Sequence, residues 1–377
     1  MPDLDVVIVG AGPAGAVCAA ILARAGARVR VFDRSVFPRD KLCGDTVNPG
    51  TIATLRRLNL AKPLDERGLR VDGMRVSGSN GVVVEGRYPP GMSGRAILRR
   101  DFDWMLLQDA IGAGAQFEAG AAVRGAIVEH GRVTGIRVGP CEVRAPITVA
   151  ADGRHSTLAF ALGLASHPAR PRRWAIGAYI DVAESATARR FGEMHVRGGH
   201  YIGIAPVPGN LTNVCLVTPW QAGDAPLGNP RLAILAALAR DPLLHERFSR
   251  ARFTSAPVVL GPLAVDVRDV SIDGLLLAGD AAGFIDPMTG DGLRYAIRGA
   301  ELAADAAARA LAHGWSGVHD SLRRARRREF AGKWRFNRGV RSLAGSPRAV
   351  AAAAMAARIA PAVLRRAMMY SGDCGCS

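Results

Sequence analysis

The stretch "DVVIVGAGPAGAVCAAILARAGARVRVFDR", residues 5–34, decides the fold class of this 377-residue chain. Its apolar run at residues 6–9 is typical of a parallel strand that is covered on both faces. A glycine-rich turn follows, then an alanine-rich helix, and then a second apolar strand that ends at Asp33. Strand, turn, helix and strand in this order predict an α/β fold built on a parallel sheet.

The turn has the spacing Gly-x-Gly-x-x-Gly at Gly10, Gly12 and Gly15. The first glycine permits the sharp reversal, the second lets backbone approach a pyrophosphate, and the third lets the helix pack on the strand. Asp33 falls where an acid accepts a hydrogen bond from a ribose hydroxyl. With strand, helix and acid in register, the turn predicts a dinucleotide site.

The overall composition is that of a globular protein in a reducing compartment. Hydrophobic residues make up 49% of the chain and charged residues 22%. The six cysteines have neither a disulfide framework nor a metal-ligand spacing, so we expect no metal site. Asp3 and Asp5 stand where a signal peptide would carry basic residues. These features predict a cytoplasmic protein.

The net charge of +16 is concentrated in a C-terminal tail. Residues 313–377 contain thirteen Arg or Lys against three Asp or Glu. The chain has no nucleic-acid-binding motif, so no nucleic-acid partner is expected. The tail predicts two helices with two alternative uses. Either they pack on the body of the protein, or they lie on the anionic inner face of a membrane as a peripheral contact.

A second segment, "GLLLAGDAAGFIDPMTGDGLRYAIRGAELAADAAARAL" at residues 274–311, favours a flavin over a nicotinamide nucleotide. Asp280 follows a buried strand and can accept from a ribityl hydroxyl. Gly290 and Gly292 open a long helix whose free N–H groups point at whatever lies before them. A helix N-terminus favours the negative charge that a flavin gains on reduction.

These blocks make the sequence similar to a known family. With "PRDKLCGD" at residues 38–45, Arg99 and "ADGRHS" at residues 151–156, it resembles flavoproteins of the p-hydroxybenzoate hydroxylase fold and, within that group, the geranylgeranyl reductase family. The resemblance implies a Rossmann-type FAD-binding domain, an inserted antiparallel β-sheet substrate domain and a C-terminal helical tail. It also implies FAD as cofactor and an FAD-dependent oxidoreductase activity.

The resemblance divides the chain into three parts. Residues 1–70, 96–165 and 256–312 form the expected FAD-binding domain, residues 71–95 and 166–255 the substrate domain, and residues 313–377 the basic tail. The residues expected to hold the cofactor are Gly10, Gly12, Pro13, Ala14, Gly15, Asp33, Arg34, Arg39, Gly44, Arg99, Val123, Asp152, Asp280, Gly290, Gly292 and Leu293. No second Gly-x-Gly-x-x-Gly motif occurs, so NAD(P)H is expected to visit only transiently as electron donor.

The loop "CGDTVNPG" at residues 43–50 carries the expected catalytic residue, Cys43. In the family this cysteine is implied as a proton source to the substrate carbon, and Gly44 lets backbone lie close to the flavin ring. The alternative for Cys43 is a small residue that only fits against the ring.

The substrate is expected to be apolar, either lipid-like or polyketide-like. Geranylgeranyl reductases tend to show Tyr-x-Trp-x-Phe-Pro where this chain has "YIGIAP", residues 201–206. Tyr201 and Pro206 match and are the expected substrate residues, whereas Gly203 and Ala205 replace large side chains and enlarge the pocket. Reduction of a carbon–carbon double bond is the expected reaction. Aromatic hydroxylation by a monooxygenase using NAD(P)H and O2 and a non-catalytic flavin-binding protein are the alternatives.

Overall fold

A computed structural model of the chain describes residues 4–78, 81–169, 173–182, 188–220, 222–268 and 271–374. The strands are β1 Val6–Val9, β2 Val29–Phe32, β3 Thr46–Val47, β4 Leu69–Val71, β5 Gly73–Ser77, β6 Val83–Arg87, β7 Gly94–Ala96, β8 Gln116–Glu118, β9 Val123–Glu129, β10 Arg132–Val138, β11 Cys141–Arg144, β12 Ile147–Ala150, β13 Ala165–Ser166, β14 Trp174–Asp181, β15 Phe191–Val196, β16 Tyr201–Val207, β17 Leu211–Thr218, β18 Arg252–Phe253, β19 Val258–Leu260, β20 Asp266–Val267 and β21 Leu275–Leu277. The helices are α1 Pro13–Arg24, α2 Pro49–Arg57, α3 Lys62–Arg67, α4 Arg99–Gly112, α5 Thr157–Ala161, α6 Ala225–Gly228, α7 Pro230–Arg240, α8 Gly292–His313, α9 Val318–Ala344, α10 Pro347–Ile359 and α11 Pro361–Ser371.

The first sheet is parallel, in the strand order β21-β12-β1-β2-β8. Val6 and Ile8 of β1 point into a core shared with α1, α4 and α8. Val7 and Val9 point to the opposite face, where they pack with Val133 of the β9–β11 sheet. Both faces are therefore covered, which explains why the strand is apolar at every position.

The second sheet has eight strands, in the order β18-β14-β17-β16-β15-β5-β6, with β19 also pairing β14. Neighbouring strands in this sheet pair antiparallel, except β15 and β5. These two strands come from the two separate insertions and pair in parallel. The predicted antiparallel substrate sheet is therefore mixed at this one seam. It also extends to Leu260, past the predicted boundary at residue 255, because β19 hydrogen-bonds to β14 rather than to the parallel sheet.

The tail forms three helices where two were predicted. Proline has no backbone N–H and cannot continue a helix, so Pro361 ends α10 and begins α11. Helix α9 places Phe330 in the core beside α8, and α11 packs Met368 against Val84 of β6. The tail is thus packed on the body of the protein.

The charged groups of the tail add to this packing. Buried Lys333 of α9 pairs with Asp291 at 3.2 Å and with Asp373 at 3.0 Å. Among the described residues no single helix is long and apolar enough to cross a bilayer. Helices α10 and α11 reach that length and composition only together, and they are bent by 109°.

Candidate functional site

One cavity of about 1620 Å³ runs through the protein between the two sheets. At one end it meets the carboxyl ends of β1, β2 and β12, where ligands bind in open α/β sheets. It then passes the loop at Cys43 and ends between β5, β16 and the tail helices α9, α10 and α11. We call its two parts the dinucleotide end and the tail end.

The glycine turn forms the floor of the dinucleotide end. Gly10 has φ +97°, and a Cβ there would lie 2.5 Å from Ala151 O, so only glycine fits. A Cβ on Gly15 would lie 1.8 Å from Gly10 O, in the contact between helix and strand. A Cβ on Gly12 would have only Arg39 Nη2 within 4 Å, at 3.6 Å, and would otherwise occupy the cavity.

Two charged groups beside this turn suit a dinucleotide. Asp33 is fixed by Ala11 N, which donates to Oδ2 at 2.8 Å, and by Ser35 N, which donates to Oδ1 at 2.8 Å. Its remaining lone pairs face the cavity and can accept ribose hydroxyls. Arg39 pairs with Asp103 through Nη2 at 3.0 Å, whereas its buried Nη1 has no hydrogen bond among the described residues. A pyrophosphate oxygen would satisfy that nitrogen.

The N-terminus of α8 and Asp280 meet the cavity further along. A Cβ at Gly290 would meet no atom within 4 Å, which leaves bare backbone for a ligand. Burial raises the pKa of Asp280, and the nearby charges of Lys41 and Arg154 partly oppose that rise. Lys41 is exposed to the cavity but enclosed by protein, and this enclosure lowers the pKa of its ammonium group. These groups fit the ribityl chain and flavin ring of FAD.

Arg99 lies at the cavity wall, but its guanidinium is already held by a carboxylate. Its Nε donates to Asp103 Oδ1 at 2.8 Å and its Nη2 donates to Asp103 Oδ2 at 3.1 Å, both buried. Arg99 was expected to reach cofactor oxygens. Because its Nε and Nη2 donate to Asp103, only its remaining N–H groups can do so. Its backbone N–H donates to Asp45 Oδ1 at 3.0 Å, which ties α4 to the loop at Cys43.

Nearly all residues predicted to hold the cofactor line the cavity. They are Gly10, Gly12, Pro13, Ala14, Asp33, Arg34, Arg39, Gly44, Arg99, Val123, Asp152, Asp280, Gly290, Gly292 and Leu293. Gly15 does not line it, because its place is the contact of α1 with β1. The structure thus brings together segments from across most of the chain into one cavity.

The loop at Cys43 stands where the dinucleotide end meets the tail end. Cys43 is exposed to the cavity, and a Cβ at Gly44 would meet no atom within 4 Å. Asn213 of β17 donates through Nδ2 to Cys43 O at 2.7 Å. The backbone of the loop is therefore fixed while its thiol remains free to face a ligand.

Asp45 anchors this loop, and sequence reasoning missed its role. Its Oδ1 accepts from Tyr179 Oη at 3.1 Å, and its Oδ2 accepts from Asn213 Nδ2. Burial raises the pKa of Asp45 to about 7, although the hydrogen bond from Asn213 and the charge of Arg99 work against that rise. The sequence signal for this role was the position of the acid, two residues after Cys43. Its hydrogen-bond partners lie on β14 and β17, and the sequence of the loop could not predict them.

The tail end is mostly apolar, and the small residues Gly203 and Ala205 leave room for a ligand in it. Tyr201 lines it, but its hydroxyl donates to Asp286 Oδ1 at 2.6 Å, so the side chain acts as a fixed wall. Pro206 is buried in β16 and does not line the cavity, which separates it from the other predicted substrate residue. A Cβ on Gly203 would lie 3.7 Å from Met194 Cε, in ordinary contact. Gly203 and Ala205 both line the cavity, at positions where larger side chains would reduce its volume.

Comparisons with known proteins agree with this site. The FAD binding domain family matches residues 3–334. Menaquinone reductase of Mycobacterium tuberculosis is 32% identical over 318 residues, covering 80% of this chain and 76% of that protein. Digeranylgeranylglycerophospholipid reductase 2 of Methanopyrus kandleri is 32% identical over 326 residues, covering 82% and 78%.

The fold has solved examples. The structure of a flavin-dependent brominase matches with a TM-score of 0.84 at 22% identity, covering 98% of this chain and 94% of its own. At that identity the likeness shows the fold alone. Fold and site together define an FAD-dependent oxidoreductase. The chain belongs to the FAD binding domain family. Its relatives include proteins that are named as reductases.

Proposed function

We propose that this enzyme reduces a carbon–carbon double bond in an apolar, isoprenoid-type lipid. The observation that carries the proposal is the continuity of the cavity. The dinucleotide end leads past Cys43 directly into a tail end walled by apolar side chains. Relatives named for a menaquinone and for a digeranylgeranylglycerophospholipid support a substrate of this class.

The chemistry that FAD would supply when bound here is a hydride for one carbon of the double bond. Cys43 donates its thiol proton to the other carbon, so the two additions balance as reduction of one alkene. The side chains of Lys41, Arg99 and Arg154 line the same cavity as Cys43. Solvent returns the proton to Cys43 after the product has left the cavity.

The protein itself positions Cys43 and the substrate, and it excludes water from the reacting carbons. Asn213 and Asp45 hold the loop so that Cys43 faces the space next to Gly44. The mostly apolar wall places the reacting carbons in a part of the cavity that favours an apolar chain. NAD(P)H is the proposed electron donor. It would act in transient contact, since the sequence has no second dinucleotide turn.

Anaerobic turnover tests the reaction. FAD-loaded enzyme is mixed with NAD(P)H and a short-chain polyprenyl or menaquinone analogue without oxygen, and the saturated product is measured by mass spectrometry. Oxygen consumption that rises only with an aromatic substrate would support hydroxylation instead. Binding of FAD without turnover of either substrate would favour a non-catalytic flavoprotein.

The variant Cys43→Ser tests whether the Cys43 thiol is the proton donor. A hydroxyl is a far weaker acid than a thiol, so turnover should fall by about 10² to 10⁴ while FAD binding and reduction by the donor persist. Cys141→Ser is the matched control, because Cys141 is exposed on β11 and does not line the cavity. Full alkene reduction by Cys43→Ser would remove the thiol from the mechanism.

A further inference from the structure

The bend between α10 and α11 is apolar and open. Ile359 is 78% exposed, Val363 68% and Met355 53%, which is unusual for such side chains in a globular protein. The three lie on either side of Ala360, where the two helices turn by 109°. We call residues 355–363 the tip.

The cavity opens at this tip. Ala354, Ala357 and Met368 line the tail end from buried positions on the inner faces of the two helices. At the bend, Ala356, Ala360 and Val363 also line it but are exposed. Apolar residues of the cavity lining therefore reach the outer surface of the protein at the tip.

The charged side chains of helices α10 and α11 all have one sign. Residues 347–371 contain four arginines and no acidic residue. Arg348, Arg358 and Arg366 are exposed, and no ion pair holds them within the described part of the chain. Arg365 donates through Nε to Glu85 O at 3.1 Å, which ties α11 to β6. Exposed apolar side chains on helices that also carry these arginines match an interface of acyl chains and anionic headgroups.

We propose that the tip docks on an anionic lipid bilayer and that the lipid substrate passes from the bilayer directly into the tail end of the cavity. The identity of this cargo rests on the proposed function, whereas the docking surface does not. A second copy of the chain fits the tip less well, because it would bring two arginine-rich tips together with no acid on either side.

Vesicle binding tests the docking. FAD-loaded enzyme is sedimented with vesicles of phosphatidylcholine alone or with about one third phosphatidylglycerol. Binding should need the anionic lipid and should weaken with salt, since charges are screened over about 10 Å at 0.1 M. Arg358→Gln with Arg366→Gln should weaken binding about 25-fold, from about fivefold for each arginine.

The apolar side chains are tested separately. Met355→Ser with Ile359→Ser should weaken binding about tenfold or more, because less apolar surface enters the bilayer. Leu232→Ser with Arg240→Gln on α7 is the matched control, since Leu232 is 60% exposed and far from the tip in sequence. The Met355 and Ile359 side chains do not line the cavity, so turnover of a soluble short-chain analogue should stay unchanged while turnover of vesicle-embedded substrate falls with binding.

The outcomes separate the two proposals. Tip-dependent vesicle binding without alkene reduction would keep the docking surface and overturn the reaction. Alkene reduction with no vesicle binding, or with binding that the tip variants leave intact, would overturn the docking. Loss of a dimer in light scattering when Ile359 is changed would assign the tip to a second copy and also overturn it.

Discussion

The two ends of the cavity are built in opposite ways. The dinucleotide end is made of backbone: Gly10 and Gly15 pack so closely that a Cβ would lie 2.5 and 1.8 Å from a carbonyl oxygen. The tail end is made mostly of side chains, and a Cβ on Gly203 would meet Met194 Cε at 3.7 Å and Cys215 O at 3.9 Å, both ordinary contacts. The difference separates a rigid part that holds a cofactor common to many enzymes from a part that can change with the substrate.

The largest effect should come from filling the backbone contact. Gly15→Ala places a Cβ against Gly10 O, which is backbone and cannot move aside, so we expect a loss of about 3 kcal/mol or more in the free energy of unfolding. Denaturant unfolding measures it. Gly12→Val is the contrast, since its side chain would enter the cavity. That variant should fold yet elute from gel filtration without FAD. A stable Gly15→Ala would contradict the rigid character of this end.

A smaller effect is expected from filling the tail end. Gly203→Trp restores a large side chain to the apolar wall, and we expect kcat/KM for a long-chain substrate to fall about 10- to 100-fold. FAD content and the unfolding free energy should change little, because the added ring enters open space. Gly203→Ala is the matched control and should behave like the parent. Equal loss of FAD and of substrate turnover in Gly203→Trp would show that the two ends are not independent.

The last prediction concerns the slope of stability against pH, and it rests on Asp45, where the two ends meet. Its pKa is raised from 3.8 to about 7, mainly by burial, so the folded protein keeps a proton that the unfolded chain releases. The stability from this group is complete below about pH 4 and is lost as the pH rises to about 7, by at most about 1.4 kcal/mol per pH unit. Asp45→Asn should flatten this slope in denaturant unfolding of the FAD-loaded enzyme.

Asp40→Asn is the control for that measurement, because the Asp40 side chain is 86% exposed and stands five residues earlier in the same loop. It should keep the slope of the parent. An unchanged slope in Asp45→Asn would mean that the carboxyl is ionised throughout this range and that Asn213, Tyr179 and Arg99 outweigh its burial.

The sequence by itself determined the dinucleotide end. The spacing of Gly10, Gly12 and Gly15, the acid at Asp33 and the glycines before α8 describe local backbone geometry, and all but Gly15 of the residues predicted there line the cavity. Such geometry is readable because steric limits act between neighbours in the chain. Pro361 follows the same local logic, since proline cannot continue a helix, although two helices were predicted for the tail where the structure has three.

Only the tertiary structure decided what the rest of the cavity is made of. Asp45 meets Asn213 across 168 positions of sequence, and Arg99 turns to Asp103 rather than outward. The basic tail, expected either to pack or to lie on a membrane, packs and at the same time supplies one wall of the cavity and its mouth at Ala360. Contacts between remote segments depend on how whole sheets and helices pack, and no local spacing carries that information.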